Sequence, residues 1–348
     1  MVPRHKRSSI GRFFYGLRYL LGEYALRALI VVMPWIPYRL LLIFTSFLAR
    51  VAFLVMWPYR RRMEQNIAKA MAREIPSPAA RKKLVRRAWQ NFARAILETC
   101  AVMHFPKDKI TSAIALEGEE HLQRALARGK GVIALSAHLG SFTLIGARLA
   151  ASGYAFSVVV KQPRNQRFTS LVDEYRAQLG VQTISAKPRR EAVKAILKAL
   201  RQNRIVLVIA DEFKSGGVMV EFMGRPSAAP RGPASLALRT GAATLPTFAP
   251  RRPDGSLVLS IGPEIPPVQA QDIEESVAAT TALFTRHLEK AIRAYPDQWN
   301  WLGFPRDGRV LRAEYTAGIA VTARASRPPL PLAAPSAGGH LPVKGEES

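Results

Sequence analysis

Between residues 131 and 294 the chain alternates short apolar runs with longer stretches whose apolar positions recur at helical spacing. The apolar runs predict strands at Gly131–Ser136, Phe156–Val160, Val181–Ile184, Ile205–Ala210, Ala243–Phe248 and Leu257–Ile261. The other stretches predict helices at Phe142–Ala151, Arg167–Leu179, Arg190–Gln202, Pro233–Thr240 and Asp272–Ala294. Strands and helices in this order predict an α/β fold with a mixed, largely parallel sheet flanked by helices.

The segment from residue 60 to residue 104 also has a helical pattern. Apolar side chains recur every four residues, with two more beside them: Leu84, Ala88, Phe92 and Ile96, then Val85 and Trp89. This spacing places them on one face of a helix. Ser77-Pro78 is typical of a helix start, because proline is tolerated at the first helical position.

Two apolar runs, Tyr24–Met33 and Leu40–Trp57, precede that segment and are separated by prolines, which interrupt helices. The second run is 18 residues long with one charge, Arg50, close to the minimum for a membrane span of about 17–25 residues. A single span would have more positive charge before it than after it, which would place the main domain outside the cytoplasm. A helical hairpin or a monotopic insertion avoids this conflict; the alternative is that both runs are ordinary core helices.

The chain has 51 Lys and Arg residues against 25 Asp and Glu, a formal net charge of +26. Residues 1–62 contain eleven basic residues and one acidic residue, in the most apolar part of the chain. Basic residues interleaved with Leu, Phe and Trp are typical of contact with an anionic membrane surface. No aromatic RNA-binding motif or zinc finger accompanies the charge, which argues against a nucleic-acid partner. The single cysteine, Cys100, excludes an intramolecular disulfide and a cysteine-based metal site.

These patterns divide the chain into three regions. Residues 1–58 are expected to form a membrane-associating helical segment with amphipathic and hydrophobic helices. Residues 59–310 are expected to form the α/β domain. From about Leu311 the sequence is rich in Ala, Pro, Gly and Ser, so residues 311–348 are expected to be a disordered tail.

The most informative motif is SAHLGSFT at 136–143, where a predicted strand ends and a histidine and a glycine precede a helix. Ligands of open α/β sheets bind beyond the carboxyl ends of the strands, so His138 occupies a position suited to chemistry. The backbone N–H groups of residues 140–142, which begin with Gly140 and Ser141 at the helix start, can hold an anion or an oxyanion. The alternative is that His138 caps the helix or packs against it.

Several further motifs follow one another in a fixed order. They are NIAKA at 66–70, Asn91-Phe92 followed by Glu98, HLGSF at 138–142, Asn165 with Arg176, ADE at 210–212, GVMVEFMGRP at 217–226, PRGP at 230–233 and QWNW at 298–301. With them the chain, from about Tyr59 to Arg306, resembles the bacterial lipid A lauroyl/myristoyl acyltransferase family, within the wider glycerolipid and lysophospholipid acyltransferases.

The resemblance implies a fold and a reaction. It implies an enzyme of the inner membrane, with its catalytic domain facing the cytoplasm, that moves a fatty acyl group from an acyl-carrier-protein or CoA thioester. The acceptor would be a lipid A precursor or a related glycolipid, and another acceptor such as an aminolipid stays open. Neither a cofactor nor a metal is expected.

One position departs from the family pattern. The family's signature is a histidine, four further residues, then Asp or Glu, and here that last position is Thr143. In relatives the carboxylate orients and charges the imidazole, the general base that deprotonates the acceptor hydroxyl. Another carboxylate can substitute, Thr143 can merely orient the ring, or the protein is a catalytically impaired lipid-binding homologue.

We favour substitution. Glu212 is the first choice and Asp211 the second, since both end the predicted strand at 205–210 and so lie at the same sheet edge as His138 if the strands are parallel. The resemblance supports this choice, since some mannolipid acyltransferases of this family look as if they pair the histidine with an acid in this later segment. The alternative for both acids is a turn or a helix cap.

The donor's phosphopantetheine or an acceptor phosphate requires cations. Arg164, Arg176 and Arg231 are the candidates, because guanidinium recognises phosphate bidentately; Lys161 is a weaker one. Arg231 lies in a stiff Pro-Arg-Gly loop before a helix, whereas Arg176 is alternatively a solvated mid-helix residue. The residues GRP at 224–226 are expected to form the turn of a hairpin.

Overall fold

The computed structural model describes residues 31–162, 165–213 and 217–305, together with Leu20, Tyr24, Arg27 and Ala28. Arg164 and the tail expected over 311–348 lie outside the described residues, as does most of the chain before residue 31. The described part contains a group of N-terminal helices followed by an α/β region.

The N-terminal helices are α1 (Tyr38–Val55), α2 (Trp57–Ala70) and α3 (Pro78–Val102). The Ser77 side chain accepts a hydrogen bond from the N–H of Ala80, and Pro78 occupies the first turn, so α3 begins where the sequence predicts. Among the described residues, no single helix has both the length and the apolarity to cross a bilayer. The segments Arg39–Val55 and Trp57–Ala70 meet that requirement only as a pair, bent by 85°.

The strands are β1 (Ile114–Glu117), β2 (Val132–Ser136), β3 (Phe156–Val160), β4 (Val181–Ser185), β5 (Ile205–Ile209), β6 (Val218–Phe222), β7 (Arg225–Ala229), β8 (Ala243–Phe248) and β9 (Leu257–Ile261). Within the described ranges, seven of them form one sheet in the order β1-β9-β8-β2-β5-β3-β4. Every neighbouring pair is parallel except β8 with β9. The predicted mixed, largely parallel sheet is therefore confirmed.

The remaining helices flank this sheet. They are α4 (Lys107–Ala113), α5 (Glu119–Leu126), α6 (Leu144–Ala151), α7 (Gln166–Gln178), α8 (Arg189–Arg201), α9 (Gly232–Thr240) and α10 (Ile273–Ala294). The predicted elements agree within two residues at each end, but the sequence pattern missed α4, β1 and α5. In β1 only Ile114 is buried, because the strand lies at the edge of the sheet, so its apolar signal is weak.

Strands β6 and β7 form a separate antiparallel hairpin. Its two turn residues are Met223 and Gly224, with φ of 54° and 71°. Two successive positive φ values are typical of a type I′ turn, whose twist suits a hairpin. The hairpin is as expected, but its turn lies one residue earlier than predicted, and Arg225 and Pro226 belong to β7.

Successive residues of each strand face opposite sides of the sheet. On one side Ile133 and Val206 belong to a core that includes residues of α3, α8 and α10. On the other side Val132 and Phe156 pack in a second core with residues of α6. Because β2, β3, β4, β5 and β8 run parallel, their carboxyl ends meet at one edge, where ligand sites of such sheets form.

Candidate active site

The ends of β2 and β5 lie side by side, with Ser136 in register with Ile209. Two residues beyond each strand comes a polar side chain, His138 after β2 and Asp211 after β5. His138 Nδ1 lies 2.8 Å from Asp211 Oδ1, and the backbone N–H of His138 donates to Asp211 Oδ2 over 2.8 Å. The structure thus places Asp211, the second choice, and not Glu212, the first choice, on Nδ1 of His138.

A third donor completes the surroundings of the Asp211 carboxylate. The indole N–H of Trp299 donates to Asp211 Oδ2 over 2.8 Å. Asp211 is only 3% exposed, and a buried carboxylate is costly unless hydrogen bonds replace its water. Trp299 is itself packed edge-on against Trp301 and Phe222, so the donor is held in place.

The QWNW segment after α10 runs alongside the turn that carries His138. The N–H of Gly140 donates to the carbonyl of Gln298 over 2.9 Å, and the N–H of Asn300 donates to the carbonyl of His138 over 3.2 Å. The Gln298 amide also accepts from the N–H of Arg251 and donates to its carbonyl, each over 2.8 Å. Through these bonds the QWNW segment fixes the backbone of the turn that carries His138.

The turn leaves no room for a side chain at Gly140. Its φ is +61°, and a Cβ there would lie 2.3 Å from the carbonyl oxygen of Ala249. That same oxygen accepts the N–H of Ser141 over 2.8 Å. Carbonyl oxygens already accept the hydrogens of Gly140 and Ser141, so the expectation that the N–H groups of residues 140–142 hold an oxyanion is wrong for these two.

Glu98 is a buried acid that sequence reasoning placed in the family pattern but gave no role. Its Oε2 accepts the hydroxyl of Ser141 over 3.0 Å, and its Oε1 accepts Nε of Arg94 over 3.1 Å. Arg251 forms a close, buried ion pair with the same carboxylate. Glu98 therefore ties α3 to the turn after His138. The sequence feature that could have indicated this role is the position of Glu98: it directly follows Leu97 and lies among apolar residues that α3 buries.

Two cavities meet at His138. The α3 cavity, of about 260 Å³, lies between α3 and the QWNW segment, and the sheet cavity, of about 510 Å³, lies between the sheet, α6 and α7. Thr99, His138, Phe142 and Thr143 line both cavities. The imidazole is 31% exposed, so both cavities give access to it.

The α3 cavity combines apolar and polar walls. Phe92 and Ile96, expected from their spacing to share one face of a helix, are 56% and 49% exposed and line this cavity together with Trp89. Asn91 and Asn300 add amide groups to its wall. Such a cavity fits a molecule that has both a hydrocarbon part and a polar head.

The sheet cavity is mainly apolar. Alternate residues of β3 and β5 line it along one face of the sheet, and Val181 of β4 lies beside them. Its wall also includes Lys161 and Glu212, just beyond the carboxyl ends of β3 and β5, and Arg176 in the last turn of α7. Arg176 is paired with Asp173 over 3.0 Å. Two of the predicted cations and the first-choice acid thus line this cavity.

A family comparison covers most of the chain. The model of the bacterial lipid A biosynthesis acyltransferases matches residues 14–303. The chain belongs to this family. The expected resemblance is confirmed, and the protein is a lipid acyltransferase.

Individual relatives are more distant. The chain is similar to a phosphatidylinositol mannoside acyltransferase of Mycobacterium tuberculosis (strain ATCC 25618 / H37Rv), 26% identical over 305 residues, which is 86% of this chain and 91% of the relative. A phosphatidylinositol mannoside acyltransferase of Mycolicibacterium smegmatis is 25% identical over 242 residues, 68% of this chain and 78% of its own. The lipid A biosynthesis palmitoleoyltransferase of Escherichia coli (strain K12) is 24% identical over 251 residues, 70% of this chain and 79% of its own.

In this lipid acyltransferase the residue at the position of the family acid forms a hydrogen bond with α3, while Asp211 contacts Nδ1 of His138. Thr143 is exposed, and its hydroxyl lies 2.6 Å from the hydroxyl of Thr99. Thr99 in turn donates to the carbonyl of Ala95 over 2.7 Å, so Thr143 is the donor within the pair. Thr143 is therefore bound to α3.

The structure does not bring every predicted residue to His138. Arg231 lines neither cavity and is paired with Glu274 through two contacts of 2.7 Å. Arg231 is therefore paired with a carboxylate on α10, and its role as a phosphate ligand stays a prediction. Cys100 is buried, and burial raises the pKa of its thiol, which disfavours the reactive thiolate.

Proposed function

We propose that the protein transfers a fatty acyl group from a thioester to a hydroxyl group of a lipid A precursor or related glycolipid, with His138 as the general base. One observation carries the proposal: a histidine held by the buried carboxylate of Asp211 lies where two cavities meet. The relatives are named for acceptors that carry sugars, phosphatidylinositol mannoside and lipid A, which supports a sugar hydroxyl as the nucleophile.

The chemistry follows from this geometry. Nε2 of His138 removes the proton of the acceptor hydroxyl while the hydroxyl oxygen attacks the thioester carbonyl carbon. The tetrahedral oxyanion collapses, the C–S bond breaks, and the departing thiolate takes the proton from the imidazolium. The products are an ester and a thiol, and no acyl-enzyme forms. Asp211 stabilises the imidazolium and fixes the ring through Nδ1.

Two substrates need two binding regions. The sheet cavity fits the acyl chain of the donor, since its walls are aliphatic and its mouth is at His138. The α3 cavity fits the acceptor, since amide groups of Asn91 and Asn300 lie beside Phe92 and Ile96. Both bound molecules then present their reacting atoms to the same imidazole.

The donor is proposed to be acyl-carrier protein, with acyl-CoA as the alternative. Exposed cations form one stripe along and just before α8: Lys187, Arg190, Lys194, Lys198 and Arg201. The stripe begins next to Ala186, which lines the sheet cavity, at the sheet edge that carries His138. An acidic carrier protein on this stripe would hold its prosthetic group at the mouth of the cavity.

The chain is also proposed to bind the inner membrane, with the catalytic domain facing the cytoplasm. Helix α1 buries Leu41 and Phe53 and leaves a continuous apolar face exposed: Leu40, Ile43, Phe44, Phe47, Val51 and Leu54. A helix with this face and basic residues around it lies in the membrane interface rather than in water. A lipid acceptor would then reach the α3 cavity from the bilayer, since Phe92 and Ile96 belong to α3, which packs on α1.

The test is transfer in vitro. The full chain in anionic vesicles is given acyl-carrier-protein or CoA thioesters of defined chains, with a lipid A precursor, a phosphatidylinositol mannoside or an aminolipid as acceptor. We expect ester formation, detected by mass spectrometry, that requires His138. If the only product is an amide formed on the aminolipid, the acceptor is an aminolipid and not a glycolipid. Lipid binding without any transfer would favour the impaired homologue that Thr143 suggests.

A further inference from the structure

The sheet cavity follows one face of β3. Phe156, Val158 and Val160, alternate residues of that strand, line it, as do Leu207 and Ile209 of β5; near the carboxyl ends Val159 and Val208 also belong to its wall. The carboxyl ends of both strands face His138, so the amino ends are farthest from the reacting atoms. The first residue of β3 is four residue steps from its last. At about 3.3 Å per step, this gives a depth of about 13 Å.

Gly146, in the first turn of α6, lines this cavity together with Phe156 and Val181, the first residues of β3 and β4. A Cβ on Gly146 would lie 2.7 Å from Cε1 of Phe156 and 3.1 Å from Cγ2 of Val181. Phe156 is 0% exposed, so its ring is enclosed by its neighbours.

Helix preference does not explain this glycine. Gly146 lies inside α6, and its φ is not in the left-handed region, so alanine would suit the helix better. Its missing side chain instead lets the Phe156 ring lie directly against α6. The ring then ends the cavity at a fixed depth.

We infer that Gly146 and Phe156 set the longest acyl chain that the enzyme accepts, by forming the blind end of the acyl cavity. The inference rests on the proposed function, in which the sheet cavity holds the donor chain. A chain whose methyl end reaches the Phe156 ring fills the cavity. A longer chain has to push the ring towards α6, where there is no space. A misfit of one methylene in an apolar pocket changes kcat/KM by roughly tenfold or more.

The test is competition between thioesters of saturated chains that differ by one ethylene unit. Phe156→Leu shortens the side chain and should move the optimum to a longer acyl chain. The ratio of kcat/KM for the longer chain to kcat/KM for the wild-type optimum should rise by at least roughly tenfold. Gly146→Ala drives the ring into the cavity and should move it to a shorter chain. Val160→Ala, a matched change at the mouth, should leave the optimum where it is.

A binding readout separates this inference from the proposed reaction. Free fatty acids of the same series displace a bound fluorescent fatty acid from wild type and from each variant, and circular dichroism checks the fold. If wild type transfers nothing but the binding optimum shifts in opposite directions in the two variants, the reaction is wrong and the blind end stands. Unchanged optima in folded Phe156→Leu would overturn the inference, whether or not Gly146→Ala folds.

Discussion

Asp211 binds His138 at two points, the imidazole Nδ1 through Oδ1 and the backbone N–H through Oδ2. One carboxylate therefore fixes both the ring and the main chain that carries it. This double contact follows from the register of β2 and β5, in which the two strands end level with each other. The other ring nitrogen, Nε2, then has a fixed position relative to both cavities.

The first prediction concerns the base. His138→Ala should lower the transfer rate by roughly 10²–10⁴. The fold should survive, because the side chain is partly exposed and lies at the wall of two cavities. Single-turnover rates at saturating donor measure the effect. His121→Ala, a change on α5 where the ring contacts Arg124, is the matched control. Near-normal turnover by a folded His138→Ala variant would show that His138 is not the general base.

The second prediction separates the two acids after β5. Asp211→Asn should reproduce most of the loss seen in His138→Ala, because the imidazolium loses its counter-charge and its orienting group. Glu212→Gln should keep the chemical step, since it leaves the contact between Asp211 and Nδ1 of His138 in place. The double variant of His138 and Asp211 should be little worse than either single one, because paired groups act as a unit. An inactive Glu212→Gln beside an active Asp211→Asn would reverse the assignment.

The pattern of apolar residues was enough to predict the parallel sheet and the position of His138, because both depend on local periodicity. It did not distinguish Asp211 from Glu212. That choice depends on which of two adjacent side chains points inward beyond the strand, and on Trp299, which is 88 residues away in sequence. Contacts across such separations leave no trace in the local pattern.

The expected oxyanion site shows a second limit of the sequence. A glycine before a helix indicates exposed N–H groups, yet Gln298 and Ala249 supply carbonyl oxygens from distant segments. Similarly, the four-residue spacing of Phe92 and Ile96 correctly indicates one helical face. Only the tertiary structure shows that this face borders a cavity instead of a filled core.

The third prediction concerns stability. Glu98→Ala should destabilise the fold by about 3–5 kcal/mol, because the largely buried charge of Arg251 would lose the carboxylate that neutralises it. Activity should also fall, since Ser141 loses the bond that ties the turn to α3. Urea unfolding measures the first effect. Glu117→Ala is the matched control: its pair with Arg252 is exposed, so it should cost less than about 1 kcal/mol. If both variants lose the same free energy of unfolding, burial adds nothing to the contribution of the Glu98–Arg251 pair.

The fourth prediction concerns the membrane. Deletion of residues 1–58 should release the protein, but it also removes the packing of Leu41 and Phe53. Replacing Ile43, Phe47 and Leu54 by Ser changes only exposed positions and should release folded protein from anionic vesicles. Co-sedimentation with vesicles measures binding. If the triple variant still sediments fully, the membrane contact lies elsewhere.

The last prediction concerns Thr143, where this chain departs from its family. Because its hydroxyl is bonded to Thr99, Thr143→Val should keep most of the activity and mainly loosen the contact with α3. Thr143→Glu should add little to wild type, since Asp211 already occupies Nδ1 of His138. In the Asp211→Asn background, however, Thr143→Glu should partly restore the rate, because a carboxylate about one helical turn beyond the ring can reach it.

Rates of the Thr143 and Asp211 variants, alone and combined, decide between the possibilities that Thr143 raises. Loss of activity in Thr143→Val with activity kept in Asp211→Asn would assign the orienting role to the threonine. A wild type without transfer from any thioester, beside an active Thr143→Glu, would show that the protein lost the reaction together with the acid. A third outcome requires an active wild type. If Thr143→Glu restores the activity of Asp211→Asn and no neutral residue at 143 does, Asp211 at the end of β5 supplies the negative charge that relatives have at the position of Thr143.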